Sequence, residues 1–359
     1  MKEIFMSTDI LNLFLRYFKR PAKMYKNKPS DASGRRRFRI LRYQGTGTPT
    51  NSPSLVGFES VLLLTFVLFL SGCNNKEKKA NGRLNIVTTT TMITDLVKNI
   101  GKDSVNVEGL MGSGVDPHLY KASEGDVSKL TRADVVFYSG LHLEGKLVDV
   151  FEKMGRNTTT IALAEILDKE RLIGSDYFAS NFDPHIWFNI AYWKQITGYL
   201  TEELVRLDPD NKAFFRKNEQ EYLRRLDALD IEIHGIIDTL SEEKRVLVTA
   251  HDAFNYFGEA YGFEVVGLQG LSTATEAGVQ DVQKLAKLII DKQVKAIFVE
   301  SSVPKRTIEA LQQAVKSKGF DVQIGGTLYS DALGNAGTEE GTYIGMFRYN
   351  VKTIVDALK

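Results

Sequence analysis

The middle of the chain carries the feature that most limits how it can fold. Phe215, Tyr222, Leu226, Leu229, Ile233, Ile236 and Leu240 follow one another at spacings of seven, four, three, four, three and four. That spacing lays one continuous apolar stripe along a helix. Asp208-Pro209-Asp210 opens it with a capping carboxylate and a proline at the first helical position. No glycine or proline then intervenes before Gly235. From Asp210 to Leu240 such a helix would extend roughly 45 Å, longer than an ordinary crossover helix. It reads as a strut spanning whatever lies on either side. A kink at Gly235 would instead divide it into two shorter helices.

On each side of the strut the same scheme recurs. Upstream, Arg83–Thr90 reads as a strand running into a helix over Met92–Ile100. Val105–Leu110 is a second strand, Gly125–Thr131 a short helix and Val135–Tyr138 a third strand. Downstream, strands are expected at Arg245–Ala250, Phe263–Leu268, Ala296–Glu300 and Val322–Ile324. The helices between and after them are Ala253–Tyr261, Val279–Asp291, Pro304–Lys318 and Gly341–Leu358. Short β-branched runs alternating with helices predict parallel sheets. The expected class is therefore α/β: two lobes of parallel sheet flanked by helices, joined by a single long α-helix. The boundaries are an N-terminal lobe at 83–207, a linking helix at 208–241 and a C-terminal lobe at 242–359.

The first 82 residues read as an address. Val61–Leu70 is a ten-residue apolar run. That is too short to span a bilayer but suits the hydrophobic region of a signal peptide. It ends in Leu70-Ser71-Gly72-Cys73, which looks like a bacterial lipobox, cleaved before a lipidated cysteine. Residues 60–72 are then signal peptide and 73–82 a polar, Lys-rich tether. Cys73 is the chain's single cysteine, so disulfides and cysteine-built zinc sites are excluded. A lipid there places the folded chain outside the cytoplasm, anchored to a bacterial membrane. Residues 1–59 form a basic extension with 12 Lys/Arg against 4 Asp/Glu. Its Arg35–Arg39 cluster lies too far upstream to serve the apolar run, and the true start is expected inside this segment. The remaining 300 residues carry a net charge of −7. A nucleic-acid binder would hold its basic excess on the folded part, so no nucleic-acid partner is expected.

Three of the five histidines stand in telling places. Asp116-Pro117-His118-Leu119-Tyr120 recurs as Asp183-Pro184-His185-Ile186-Trp187. Proline fixes the backbone before each histidine, and the apolar pair after it is expected to anchor it. His251 follows a strand directly, and Asp331 follows the last strand. Strand carboxyl ends line the ligand crevice in open α/β sheets. Two residues from each half can thus close one site between the lobes. Imidazole and carboxylate suit zinc and other first-row divalent ions, and four such ligands fill a tetrahedral shell. The metal ligands are therefore expected to be His118, His185, His251 and Asp331. His142 reads as a loop residue and His234 as a surface residue of the strut. Glu300 either backs a ligand or pairs with a helix terminus.

At these residues the chain closely resembles the cluster A-I metal-binding lipoproteins, the TroA-type solute-binding components of bacterial zinc and manganese ABC transporters, also known as an adhesin family. The resemblance covers Leu84–Lys359. It includes Gly112-Ser-Gly-Val-Asp-Pro-His-Leu-Tyr, Gly140-Leu-His-Leu-Glu-Gly-Lys, Asp183-Pro-His-Ile-Trp-Phe and Val248-Thr-Ala-His-Asp-Ala-Phe. Leu268-Gln-Gly-Leu-Ser-Thr, Ile297-Phe-Val-Glu-Ser-Ser and Gly337-Thr-Glu-Glu-Gly-Thr-Tyr after Asp331 complete it. It implies two lobes on one long helix and a divalent metal in the cleft between them. It carries ligand roles onto the same four residues. In the family a glutamate at the third ligand position tends to mark manganese or iron binders, and here that position is His251. Members with a long His-rich loop are zinc-specific, and this chain has no such loop. Zn²⁺ is expected first and Mn²⁺ second, in the order of intrinsic affinity.

The expected function is an extracytoplasmic, monomeric binding lipoprotein, not an enzyme, that delivers the metal to an ABC permease and its ATPase. The chain has no Gly-x₄-Gly-Lys-Ser/Thr phosphate loop of its own. Two alternatives remain at this point. An exported zinc hydrolase would need an open metal position for water, and no His-Glu-x-x-His helix is present. A surface adhesin is allowed by the family's other label, although no adhesive repeat supports it.

Overall fold

The computed structural model describes residues 82–154, 158–175 and 178–359. The basic extension, the signal-peptide run, Cys73 and the tether up to residue 81 lie outside these residues. Described first are β1 (Leu84–Thr88), α1 (Thr91–Gly101), β2 (Val105–Gly109), α2 (Glu124–Arg132), β3 (Val135–Tyr138), α3 (Val148–Met154) and β4 (Thr159–Ala162). The four strands are parallel, in the order β2-β1-β3-β4. The Thr90 hydroxyl accepts from the Ile93 N–H and starts α1. That helix then buries Met92, Ile93, Leu96, Val97 and Ile100. A reciprocal capping box between Ser123 and Asp126 starts α2.

Two helices form the middle of the molecule. α4 (Ile190–Leu207) is a helix beyond those expected from the sequence. α5 (Lys212–Ile237) is the strut, 26 residues without interruption. At the helical rise it is about 39 Å long. It runs straight through Gly235, so the two-helix alternative does not hold. Its start differs from expectation. Asp208 ends α4, with its N–H bonded to the Leu204 carbonyl, and a 3₁₀ turn at Pro209–Asn211 precedes α5. The Asp208 side chain accepts from the Asn211 amide at 2.9 Å and caps no backbone N–H. The stripe faces inward as expected: Phe215, Tyr222, Leu226, Leu229 and Ile233 are all buried. At the far end Ile237 lies deeper than Ile236.

The second half holds β5 (Val246–His251), α6 (Asn255–Tyr261), β6 (Glu264–Gln269), α7 (Val279–Asp291), β7 (Ala296–Glu300), α8 (Arg306–Ser317), β8 (Gln323–Leu328) and α9 (Tyr343–Leu358). Its strands are parallel but make two pairs, β5 with β6 and β7 with β8, rather than one four-stranded ladder. β5 lies beside β7, and a side chain links them: the His251 N–H donates to Glu300 Oε1 at 2.9 Å.

One apolar cluster runs through both halves. It joins Leu96 and Ile100 of α1, Trp193 and Leu200 of α4, the α5 stripe, Phe254 and Phe257, and Phe347 and Ile354 of α9. Phe188 stacks on Phe254 at 4.4 Å between ring centres, and Trp193 on Tyr343 at 4.8 Å. The strut is thus glued to both lobes by buried apolar surface. No described helix is long and apolar enough to cross a membrane.

Candidate metal centre

The four residues singled out above meet at one place. A donor atom from each of His118, His185, His251 and Asp331 lies within 4.8 Å of the other three, and all four side chains are buried. His118 stands in the loop between β2 and α2, and His185 just ahead of α4. His251 is the last residue of β5, and Asp331 lies three residues beyond β8. Each half of the chain contributes two.

The two Asp-Pro-His copies are built alike at the backbone. The aspartate side chain turns back and accepts the histidine N–H, at 2.8 Å in Asp116–His118 and 2.9 Å in Asp183–His185. This is the Asx turn that short acidic side chains favour. Beyond the backbone the copies diverge. Asp183 Oδ1 also meets His185 Nδ1 at 2.7 Å, leaving Nε2 as the free ring nitrogen. Asp183 Oδ2 accepts from Asn255 at 3.0 Å. Asp116 instead reaches across the cleft, where its Oδ2 accepts from the Thr273 hydroxyl at 2.5 Å. The apolar pair behaves as expected only in the second copy, where Ile186 and Trp187 are buried. In the first, Leu119 is 48% exposed. Tyr120 there is fixed by its hydroxyl, which donates to Asp126 at 2.8 Å. The sequence reading credits the proline and the apolar pair with holding each histidine and misses the aspartates. The signal was present in the repeated Asp itself.

Glu300 backs His251. Its Oε1 accepts the His251 N–H, and its Oε2 lies 2.6 Å from His251 Nδ1. Gly267 makes room for this corner: a Cβ there would sit 2.4 Å from the Asp252 nitrogen. His142 and His234 stay outside. His142 is exposed in a left-handed turn, and His234 lies on the open face of α5.

Three of the donor spacings suit a small cation, in a cluster whose four donors lie within 4.8 Å of one another. His118 Nε2 and His185 Nε2 are 3.3 Å apart, His251 Nε2 and Asp331 Oδ2 also 3.3 Å, and His185 Nε2 and Asp331 Oδ1 3.6 Å. Tetrahedral ligands at zinc bond lengths of about 2.0–2.1 Å stand about 3.3–3.4 Å from one another. His251 Nε2 and Asp331 Oδ1 are buried without a hydrogen-bond partner. Such atoms are rare in proteins and costly unless something unrecorded satisfies them. A divalent cation among the four donors would do so.

The electrostatics distinguish His118 from His251. Burial pushes the His118 pKa down to about 3, aided by His185 and His251 and opposed by Asp331. Burial also works against protonated His251, but Glu300 and Asp331 outweigh it and hold that pKa well above the usual range. Asp331 is held below the usual carboxylate range although burial opposes this, because His251 faces it.

Residues 86–357 match the model of the family described as ZnuA, zinc-uptake complex component A, periplasmic. The chain belongs to this family. The ZnuA-family match spans both βα halves, the strut and all four clustered residues. Among its relatives, the manganese-binding lipoprotein MntA of Bacillus subtilis is 50% identical over 300 residues, covering 84% of this chain and 98% of MntA. The zinc-binding protein TroA of Treponema pallidum is 47% identical over 290 residues, covering 81% of this chain and 94% of TroA. The solved structure of the periplasmic zinc-binding protein TroA superposes with a TM-score of 0.75 at 48% identity, over 77% of this chain and 99% of that one.

Proposed function

We propose that the chain is a solute-binding protein that captures one divalent transition metal between its two βα lobes and delivers it to an ABC permease with its ATPase. His118, His185, His251 and Asp331 are the ligands, with zinc preferred and manganese second. The observation that carries this reading is the meeting of four buried donors, two from each half, within 4.8 Å of one another. It is supported by relatives whose names include a zinc-binding protein and a manganese-binding lipoprotein. The protein acts as a monomer outside the cytoplasm, held to a membrane by a lipid on Cys73. It is not an enzyme: four protein donors fill a tetrahedral shell and leave no open position for a catalytic water. No observation favours the adhesin reading.

One preparation tests both halves of the proposal. Cys73→Ala removes the acylation site, so the chain should pass from the membrane to the soluble fraction. Metal analysis of that released protein, purified without added metal, should then find one zinc per chain. Competition should displace it with manganese only at large excess. Unchanged membrane fractionation contradicts the anchor. A metal-free preparation that takes up neither ion contradicts the binding role.

A further inference from the structure

The segment that carries Asp331 is a 14-residue connection, residues 329–342, between β8 and α9. A connection of that length has many backbone groups to satisfy. Part of that task falls to its own half: Asn350 accepts the Tyr329 N–H at 3.0 Å and donates to the Tyr329 carbonyl at 2.7 Å. Other groups are met within the segment, where the Gly334 N–H donates to the Glu340 carbonyl at 2.8 Å and Thr338, Gly341 and Thr342 close short turns, and Ser302 of the same half donates to Asp331 Oδ2 at 3.3 Å. Three further groups are met by side chains from the other half of the molecule. Thr91 Oγ1 accepts the Leu333 N–H at 2.8 Å. Trp187 Nε1 donates to the Ser330 carbonyl at 3.0 Å. Asp95 Oδ2 accepts the Tyr343 N–H at 3.1 Å, where α9 begins. Trp187 is fixed in turn, since its carbonyl accepts the Tyr343 hydroxyl at 2.7 Å. Its indole also lies edge-on to the His185 ring, 5.3 Å between centres.

We propose that Thr91 and Trp187 are positioning residues for Asp331: the first lobe helps set the placement of a ligand that the second lobe carries. The inference rests on the metal-binding role proposed above. The hydrogen bonds fall on Ser330 and Leu333, so they bracket Asp331 in the chain. Coordination tolerates only a few tenths of an ångström in ligand position, which makes such bracketing consequential. Trp187 also couples two ligands, packing its ring edge-on to His185 and bonding the Asp331 segment with its N–H. When metal leaves, the Asp331 segment stays registered to the first lobe.

The test is zinc affinity, read by competition with a chelating dye, in Thr91→Val and Thr91→Ser. Valine keeps the shape and removes the acceptor, and serine restores it. Loss of one hydrogen bond that positions a ligand should weaken zinc binding about tenfold in Thr91→Val. Thr91→Ser should lie within about twofold of wild type, as expected when the acceptor is kept. Exchange of the Leu333 amide in the zinc-free protein should quicken in Thr91→Val alone. Trp187→Phe, which keeps an aromatic ring but loses the donor, should weaken zinc binding in the same direction and serves if Thr91→Val does not fold. Equal zinc affinity in wild type and Thr91→Val, or failure of serine to rescue, overturns the inference. A wild-type chain that binds no zinc overturns the functional reading instead. The Leu333 exchange rate then decides by itself whether the inter-lobe hydrogen bond holds the segment.

Discussion

Before a cation arrives, His118 and His251 do not share one protonation state. His118 is neutral at physiological pH, because burial has taken its pKa to about 3. His251 is protonated, although burial opposes it, because Glu300 and Asp331 stabilise the charged ring. A metal needs neutral imidazole, so binding must expel the His251 proton. The sign follows directly. Protons compete with metal, so affinity rises with pH until His251 has titrated, and falls as pH drops. Calorimetry in buffers of different ionisation enthalpy should register proton release on zinc binding at neutral pH. No proton release would contradict the state assigned to His251. Glu300→Gln should lower the His251 pKa and so reduce the proton count, while leaving the N–H acceptor in place.

Among the elements, α5 makes the firmest claim. Gly235 lies near the end of the helix, a Cβ there would meet nothing within 4 Å, and its φ is not in the left-handed region. Gly235→Ala should therefore stabilise the protein by about 0.5–1 kcal/mol through helix propensity alone. A destabilised Gly235→Ala, measured by thermal or urea unfolding, would mean that the helix bends there. The strut was legible because its spacing is strictly helical over many turns. β3, β7 and α7 were legible to the residue, since β-branched runs and an amphipathic stripe leave little choice. α4 was harder to see. Its stripe of Trp193, Ile196, Leu200 and Leu204 is interrupted by Thr197 and Thr201, which are buried by bonding their hydroxyls to carbonyls four residues back. The break between β5–β6 and β7–β8 was not legible at all, because strand pairing is decided by long-range packing. The four clustered residues were legible through the Asp-Pro-His repeat and two strand ends. Asp183 orients His185 from two residues away and is part of that repeat, whereas Asn255 behind it and Thr91 act across 72 or more residues of chain and leave no local pattern.

At the scale of the whole molecule, one apolar cluster threads both lobes and the strut, and further hydrogen bonds cross between the halves. Opening such a molecule on a wide hinge would expose that cluster to water, at a cost far above what one metal site offsets. Small-angle scattering should give the same radius of gyration with zinc and after chelation, while the melting temperature falls on chelation. A marked expansion after chelation would show that the strut does not hold the lobes. The central claim is the four-ligand site, and zinc titration of metal-stripped protein tests it most directly. The wild-type chain should bind one equivalent. His185→Ala should weaken that binding by orders of magnitude, and His142→Ala and His234→Ala should leave it nearly unchanged. Binding in His185→Ala as tight as in the wild type, or an equal loss in His142→Ala, would contradict it.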